Sequence, residues 1–178
     1  MSVSPRCLYV VVCGAGPAGE VGRLVELAHR RGWTVQLVAT AAAATHFLDV
    51  PALQQQTGRP VRTTYRPAGD PATLPDADAV IVAPATYNTI NKWAGGIADT
   101  YPLSVLAELT GLGLPIAVLP FVNEALAANR IFTRSVEDLR AAGITVLLGP
   151  GAFEPHPPRT GGDKIATFPW NLALDTVG

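Results

Sequence analysis

The sequence predicts a doubly wound α/β fold built on a mostly parallel sheet. Short runs of β-branched and aliphatic residues recur along the chain, and segments with helical spacing separate them. A glycine-rich turn follows the first run directly, where such folds pass from strand to helix.

Taken in order, Leu8 to Cys13 is a continuous apolar run, the pattern of a strand buried on both faces. The turn Gly14 to Gly19 leads into a helix on which Val21, Leu24, Val25 and Ala28 recur at helical spacing, and Gly32 stops it. Thr34 to Ala39 is the second strand, Thr40 to Leu48 a short alanine-rich helix, and a helical turn near Leu53 ends at Gly58. Residues 59–76, rich in Pro, Arg, Gly and Asp, read as an edge strand near Val61 to Tyr65 followed by a loop. Ala79 to Val82 is the next strand. Helices are expected over Thr89 to Ala94 and Pro102 to Leu109, then a strand over Ile116 to Leu119. Glu124 to Asn129 and Ser135 to Ala142 read as helices, with Gly143 as a stop. Thr145 to Leu148 is the last strand expected. Residues 149–178 are read as a turn-rich C-terminal segment of one domain spanning residues 1–178.

With 13 Lys and Arg against 14 Asp and Glu, the near-neutral balance argues against a nucleic-acid surface. The apolar runs are strand-sized, so no membrane partner is expected. The first seven residues are too short and polar for a signal peptide, and Cys7 and Cys13 flank one strand rather than forming a disulfide framework. A cytoplasmic setting follows. The scattered His29, His46 and His156 lack metal-ligand spacing.

In folds of this class ligands sit beyond the carboxyl ends of strands. The first such loop, "CGAGPAGEVGR", holds Gly14, Gly16 and Gly19 in the spacing of a dinucleotide fingerprint. The acidic residue expected at the end of the second strand is replaced by Thr40. Three readings stay open: a dinucleotide site, a mononucleotide phosphate cradle made by Gly14, Ala15, Gly16 and Thr40, or a tight turn with no ligand. The loop "APATYNTINKWAGGIAD" carries more polar groups than a helix cap needs. Thr89 or Asn88 could cap a helix beginning near Ile90, and the remaining groups suit a flat heterocycle with several carbonyl and amine groups.

That stretch resembles the Pro-Ala-Thr-Ala-Asn-Thr-x-x-Lys-x-x-x-Gly-x-Ala-Asp signature of the homo-oligomeric flavin-containing cysteine decarboxylases, with Tyr87 as the departure. This family includes phosphopantothenoylcysteine decarboxylase and the peptidyl-cysteine decarboxylases of lantibiotic-type pathways. The opening strand, loop and helix, "TGRPV", and "LPFVNEAL" with Pro120 and Asn123 are also similar to family segments. The resemblance implies a flavodoxin-like or Rossmann-like fold and FMN held by the first loop, Thr40, Ala85, Thr86, Asn88 and Thr89. It also implies a trimer, sometimes a dodecamer, with the flavin between protomers near Gly96 to Asp99.

The same resemblance places the family's catalytic histidine where this chain has Asp70, which reads either as a residue beginning a turn before Pro71 or as a carboxylate that acts as a base or orients the substrate. Val122 and Leu126 replace two family methionines, and the family's late cysteine is absent from "GPGAFEPHPPRTGG". His156 and Arg159 are expected in a solvated loop there, and His46 at the surface or in a cap. Trp93 and Trp170 are expected in packing or subunit contacts.

The implied chemistry is oxidation of a C-terminal cysteine by FMN to a thioaldehyde, which then accepts the electrons released with CO2 and gives an ene-thiol for aminovinyl-cysteine formation. Asn123 would bind the substrate carboxylate and Asp70 would take the thiol proton. The expected partner is a precursor peptide ending in cysteine, favoured over a coenzyme A precursor because no fused second domain is expected. The alternatives are a flavoprotein of the same fold with other redox chemistry, or a non-enzymatic, regulatory FMN-binding trimer.

Overall fold

The computed structural model describes residues 5–69 and 74–178. Five strands form one parallel sheet in the order β2-β1-β3-β4-β5. They are β1 (Cys7–Val12), β2 (Thr34–Ala39), β3 (Ala79–Ala85), β4 (Ile116–Pro120) and β5 (Thr145–Val146). β1 lies between β2 and β3, with Leu8 opposite Val35 on one side and Ala79 on the other. Every residue of β1 is buried because helices cover both faces, which is why the strand reads as an unbroken apolar run.

Alternation along β1 divides the interior in two. Leu8, Val10 and Val12 face a layer that includes α1 (Gly22–Arg30), while Tyr9 and Val11 face α4 (Tyr87–Ala94), α5 (Tyr101–Gly111) and α7 (Arg130–Ala141). Between β2 and β3 lie α2 (Ala41–His46) and α3 (Val50–Thr57). The helix α3 ends on Gly58 at φ +68°, a left-handed position that favours glycine. No helix among the described residues is long and apolar enough to cross a membrane.

Several sequence expectations change. The segment 61–65 is not a strand: only Arg62 pairs, its N–H donating to Leu37 O at 3.0 Å and its carbonyl accepting from Ala39 N at 2.8 Å. The last strand stops at Val146, because Leu148 turns back to bridge Phe153. The helix predicted over 124–129 ends at Ala127 as α6 (Glu124–Ala127). Asn129 caps α7 by accepting from Ile131 N at 2.9 Å, so α7 starts five residues before the expected Ser135.

The largest correction is at 149–178. This segment contains α8 (Gly162–Ile165) and α9 (Trp170–Val177), and α9 rests on α1, β3 and β4. Trp170, Ala173, Leu174 and Val177 are buried there at the i, i+3, i+4, i+7 spacing of one helical face.

Tyr9 provides a pH handle on this core. Burial raises its phenol to about 12, and its hydroxyl donates to Pro75 O at 2.8 Å. A folded-state value above the unfolded one of about 10 gives stability that is complete below pH ~10 and is lost as pH rises toward ~12. Urea unfolding of the native chain is therefore expected to lose roughly 2 kcal/mol across that window, a loss that Tyr9→Phe removes. An unchanged slope in Tyr9→Phe would show that other groups set the alkaline limit.

Candidate functional site

The order β2-β1-β3-β4-β5 reverses direction between β1 and β3, so the chain leaves these neighbours toward opposite faces and opens a crevice at their carboxyl ends. A cleft of about 480 Å³ lies there, within the size range of small-molecule and cofactor sites. Thr40 and Ala42, at the start of α2, form one wall, and Asn88, Thr89 and Lys92 of α4 form another. Lys92 Nζ is bound to Asp99 Oδ2 at 2.5 Å along the rim.

Local sequence explains how α4 presents its polar groups. The helix starts at Tyr87, earlier than expected, because Thr86 is its cap and accepts from Thr89 N at 3.3 Å. Neither Asn88 nor Thr89 is spent on capping. The Thr86 hydroxyl donates to Thr89 Oγ1 at 3.1 Å, and the Cys13 thiol donates to the same oxygen at 3.3 Å. Thr89 Oγ1 is thus within hydrogen-bond reach of both the Thr86 hydroxyl and the Cys13 thiol, and its side chain lines the cleft. Tyr87 departs from the family pattern for a packing reason: its ring stacks on Phe132 at 5.5 Å.

The cofactor residues expected from sequence divide by position. Thr40, Asn88 and Thr89 line the cleft. Thr86 stands one hydrogen bond behind Thr89, and Ala85 is buried at the end of β3. The first loop lies behind the wall. A Cβ on Gly14 would meet Ala42 Cβ at 3.0 Å, so this glycine lets the loop approach α2. A Cβ on Gly16 would meet Ile165 Cδ1 at 3.2 Å and Phe121 Cε1 at 3.3 Å, and Ala15 is buried beside it. The donor set at Thr40, Asn88 and Thr89 fits a flavin, whereas the Gly14–Gly16 turn is filled by the protein's own side chains.

Asn123 caps α6, its Oδ1 accepting from Leu126 N at 2.9 Å, and remains half-buried at the end of β4. Asp70 falls outside the described residues. His46 is exposed in the last turn of α2. Trp93 is a packing residue whose Nε1 donates to Thr110 Oγ1 at 3.1 Å. The solvated loop expected around His156 is corrected: His156 is only 6% exposed, held between Phe121 and Phe153. Arg159 is exposed, as expected. Sequence reading missed Tyr65 and Tyr101, which meet edge to face at 5.1 Å and line the cleft. The hydroxyl-rich "RTTY" at 62–65 was the available signal.

Burial raises the thiols of both Cys13 and Cys7 above their usual range, so neither is a ready nucleophile. Both are expected to resist iodoacetamide in the native protein at neutral pH and to react once it is denatured. Labelling of native Cys13, read by mass, would show that the core behind Thr89 opens.

Comparison with known proteins places this geometry. The chain is 29% identical over 142 residues to the coenzyme A biosynthesis bifunctional protein CoaBC of Thermococcus kodakarensis, covering 77% of this chain and 35% of that protein. It therefore spans about a third of that relative's length. It is 25% identical over 156 residues to a phosphopantothenoylcysteine decarboxylase of Arabidopsis thaliana, covering 83% of this chain and 74% of that one. The crystal structure of the FMN-dependent cysteine decarboxylase TvaF from thioviridamide biosynthesis shares the fold, with a TM-score of 0.72, 20% identity and coverage of 97% and 98% of the two chains. The family model described as Flavoprotein matches residues 2–162, the whole sheet with its crevice and both walls of the cleft. The chain belongs to the flavoprotein family.

Proposed function

We propose that the protein is an FMN-dependent cysteine decarboxylase acting on a peptide that ends in cysteine. The observation that carries this reading is the polar wall of Thr40, Asn88 and Thr89 in a cleft at the β1/β3 switch point, in a chain of the flavoprotein family. Two of its relatives are named for the same chemistry, one as a phosphopantothenoylcysteine decarboxylase and one as an FMN-dependent cysteine decarboxylase.

Bound FMN supplies an acceptor for the two electrons and hydrogen that leave the cysteine side chain, which makes loss of CO2 accessible. Thr40, Asn88 and Thr89 hold it by hydrogen bonds, and Thr86 fixes the Thr89 rotamer from behind. Gly14, Ala15, Gly16 and Ala85 lie behind this wall. Asn123 has its oxygen committed to the α6 cap, so its NH2 group is the end that binds the substrate carboxylate. Asp70 remains a candidate for handling the thiol proton. The assembly in this reading is a trimer or dodecamer. Ile97, 48% exposed within the stretch 96–99, is an apolar side chain that such a contact would cover.

The test is direct. The purified protein is expected to be yellow, to release FMN on denaturation, and to convert peptides ending in cysteine with joint loss of H2 and CO2 read by mass. A colourless protein that cannot take up FMN would sink the reading. Bound FMN without turnover of any such peptide would leave a flavoprotein with other chemistry.

A further inference from the structure

We propose that Tyr65 and Tyr101 form an aromatic corner that holds the ring system of bound FMN. Both side chains line the cleft of about 480 Å³ that also presents Thr40, Asn88 and Thr89. Their ring centroids lie 5.1 Å apart and their planes cross at 79°. A flat ligand laid against one ring therefore meets the other edge-on, and both are favourable aromatic contacts.

The exposure of Tyr65 calls for a reason. The residue is 63% exposed, yet its ring is held in place. The hydroxyl donates to Ser104 Oγ across 39 residues of chain, and the Ser104 hydroxyl donates to Ala98 O at 3.2 Å. The loop that carries Tyr65 is also pinned from the other side, where Arg62 bonds to Leu37 and Ala39 of β2. The polar end of the side chain is thus spent on α5, and the ring is what Tyr65 offers a ligand.

Tyr101 is placed by different means. It opens α5, and Pro102 follows it at the start of the helix, where the fixed φ of proline suits the first turn. Two rings fixed before a ligand arrives lose little freedom when it binds, so their contacts are kept as affinity.

The rest of the cleft suits the same ligand. A flavin is aromatic across its faces and polar along one edge. Thr40, Asn88 and Thr89 supply polar groups from α2 and α4, while Pro102 and Leu103 extend the apolar surface beside Tyr101. The corner requires the FMN-binding part of the proposed function and nothing of its substrate.

The experiment titrates the full chain with FMN and reads two signals, affinity and the fluorescence lifetime of the bound flavin. A phenol in contact with an excited flavin quenches it by giving up an electron, and a phenyl ring does not. The wild type is expected to bind FMN with a shortened lifetime. Tyr65→Phe and Tyr101→Phe keep the rings, so each is expected to bind within about threefold of wild type. Each lengthens the lifetime, and the double variant lengthens it most. Tyr65→Leu and Tyr101→Leu keep apolar bulk without the ring, and each weakens binding about 3–10-fold. Quenching by the wild type without turnover of any peptide ending in cysteine would uphold the corner and sink the decarboxylase reading. A wild type that takes up no FMN would overturn the corner together with the cofactor assignment. A double Phe variant with the wild-type lifetime, or Leu variants with wild-type affinity, would overturn the corner alone.

Discussion

Trp170→Ala is expected to destabilise the protein by about 3–5 kcal/mol, the range for deleting a buried aromatic side chain from a close-packed interior. Trp170 is 2% exposed, and its ring meets Phe168 edge-on at 4.8 Å. It anchors α9 against the sheet, so its loss opens a cavity beside β3 and β4. The indole has one weakness: Nε1 is buried without a partner among the described residues. Trp170→Phe, which removes that N–H and keeps most of the apolar volume, is expected to cost less than about 1.5 kcal/mol. Urea unfolding of the two variants separates packing from polarity. If Trp170→Ala cost under about 1 kcal/mol, α9 would not belong to the cooperative core.

Thr89→Val is expected to weaken FMN binding at least about tenfold, equivalent to ~1.4 kcal/mol. The same change removes the acceptor that serves both the Cys13 thiol and the Thr86 hydroxyl, at a further cost of about 1–3 kcal/mol in fold stability. Thr89→Ser keeps the oxygen and should bind FMN within about threefold of wild type. Titration followed by flavin fluorescence reads the affinities. Cys13→Val combined with Thr89→Val should cost less than the two single changes added, because the thiol and its acceptor form one network. Equal affinities for the Val and Ser variants would remove Thr89 from the cofactor site.

The sequence shows the sheet clearly, and the reason is physical. Strands buried on both faces, such as β1 and β3, need long apolar runs, and nothing else on the chain looks like them. The α4 wall was also legible, because Thr86, Asn88 and Thr89 exceed what a cap consumes. The helix α9 left a local signal at 170, 173, 174 and 177, but it follows a stretch of prolines and glycines that suggests a tail. What stayed hidden depends on distant partners. Nothing near His156 in sequence announces that Phe121 will enclose it, and nothing near Gly16 announces Ile165 and Phe121. Arg62 could be placed in a strand by composition, yet its neighbours find no partner in the sheet.

The position of β1 has a consequence for how the chain folds. One edge is satisfied early, since β2 begins at Thr34 after a short 3-10 turn and a single α-helix. The other edge waits for β3, and the bond from Cys7 N to Asp78 Oδ2 that anchors it spans 71 residues. Closing the longer loop costs more entropy, and long-range parallel pairing forms slowly. Until β3 arrives, the most apolar strand of the protein presents an open edge, the feature that seeds association between incompletely folded chains. Yield on refolding is therefore expected to fall with protein concentration well before native stability becomes limiting.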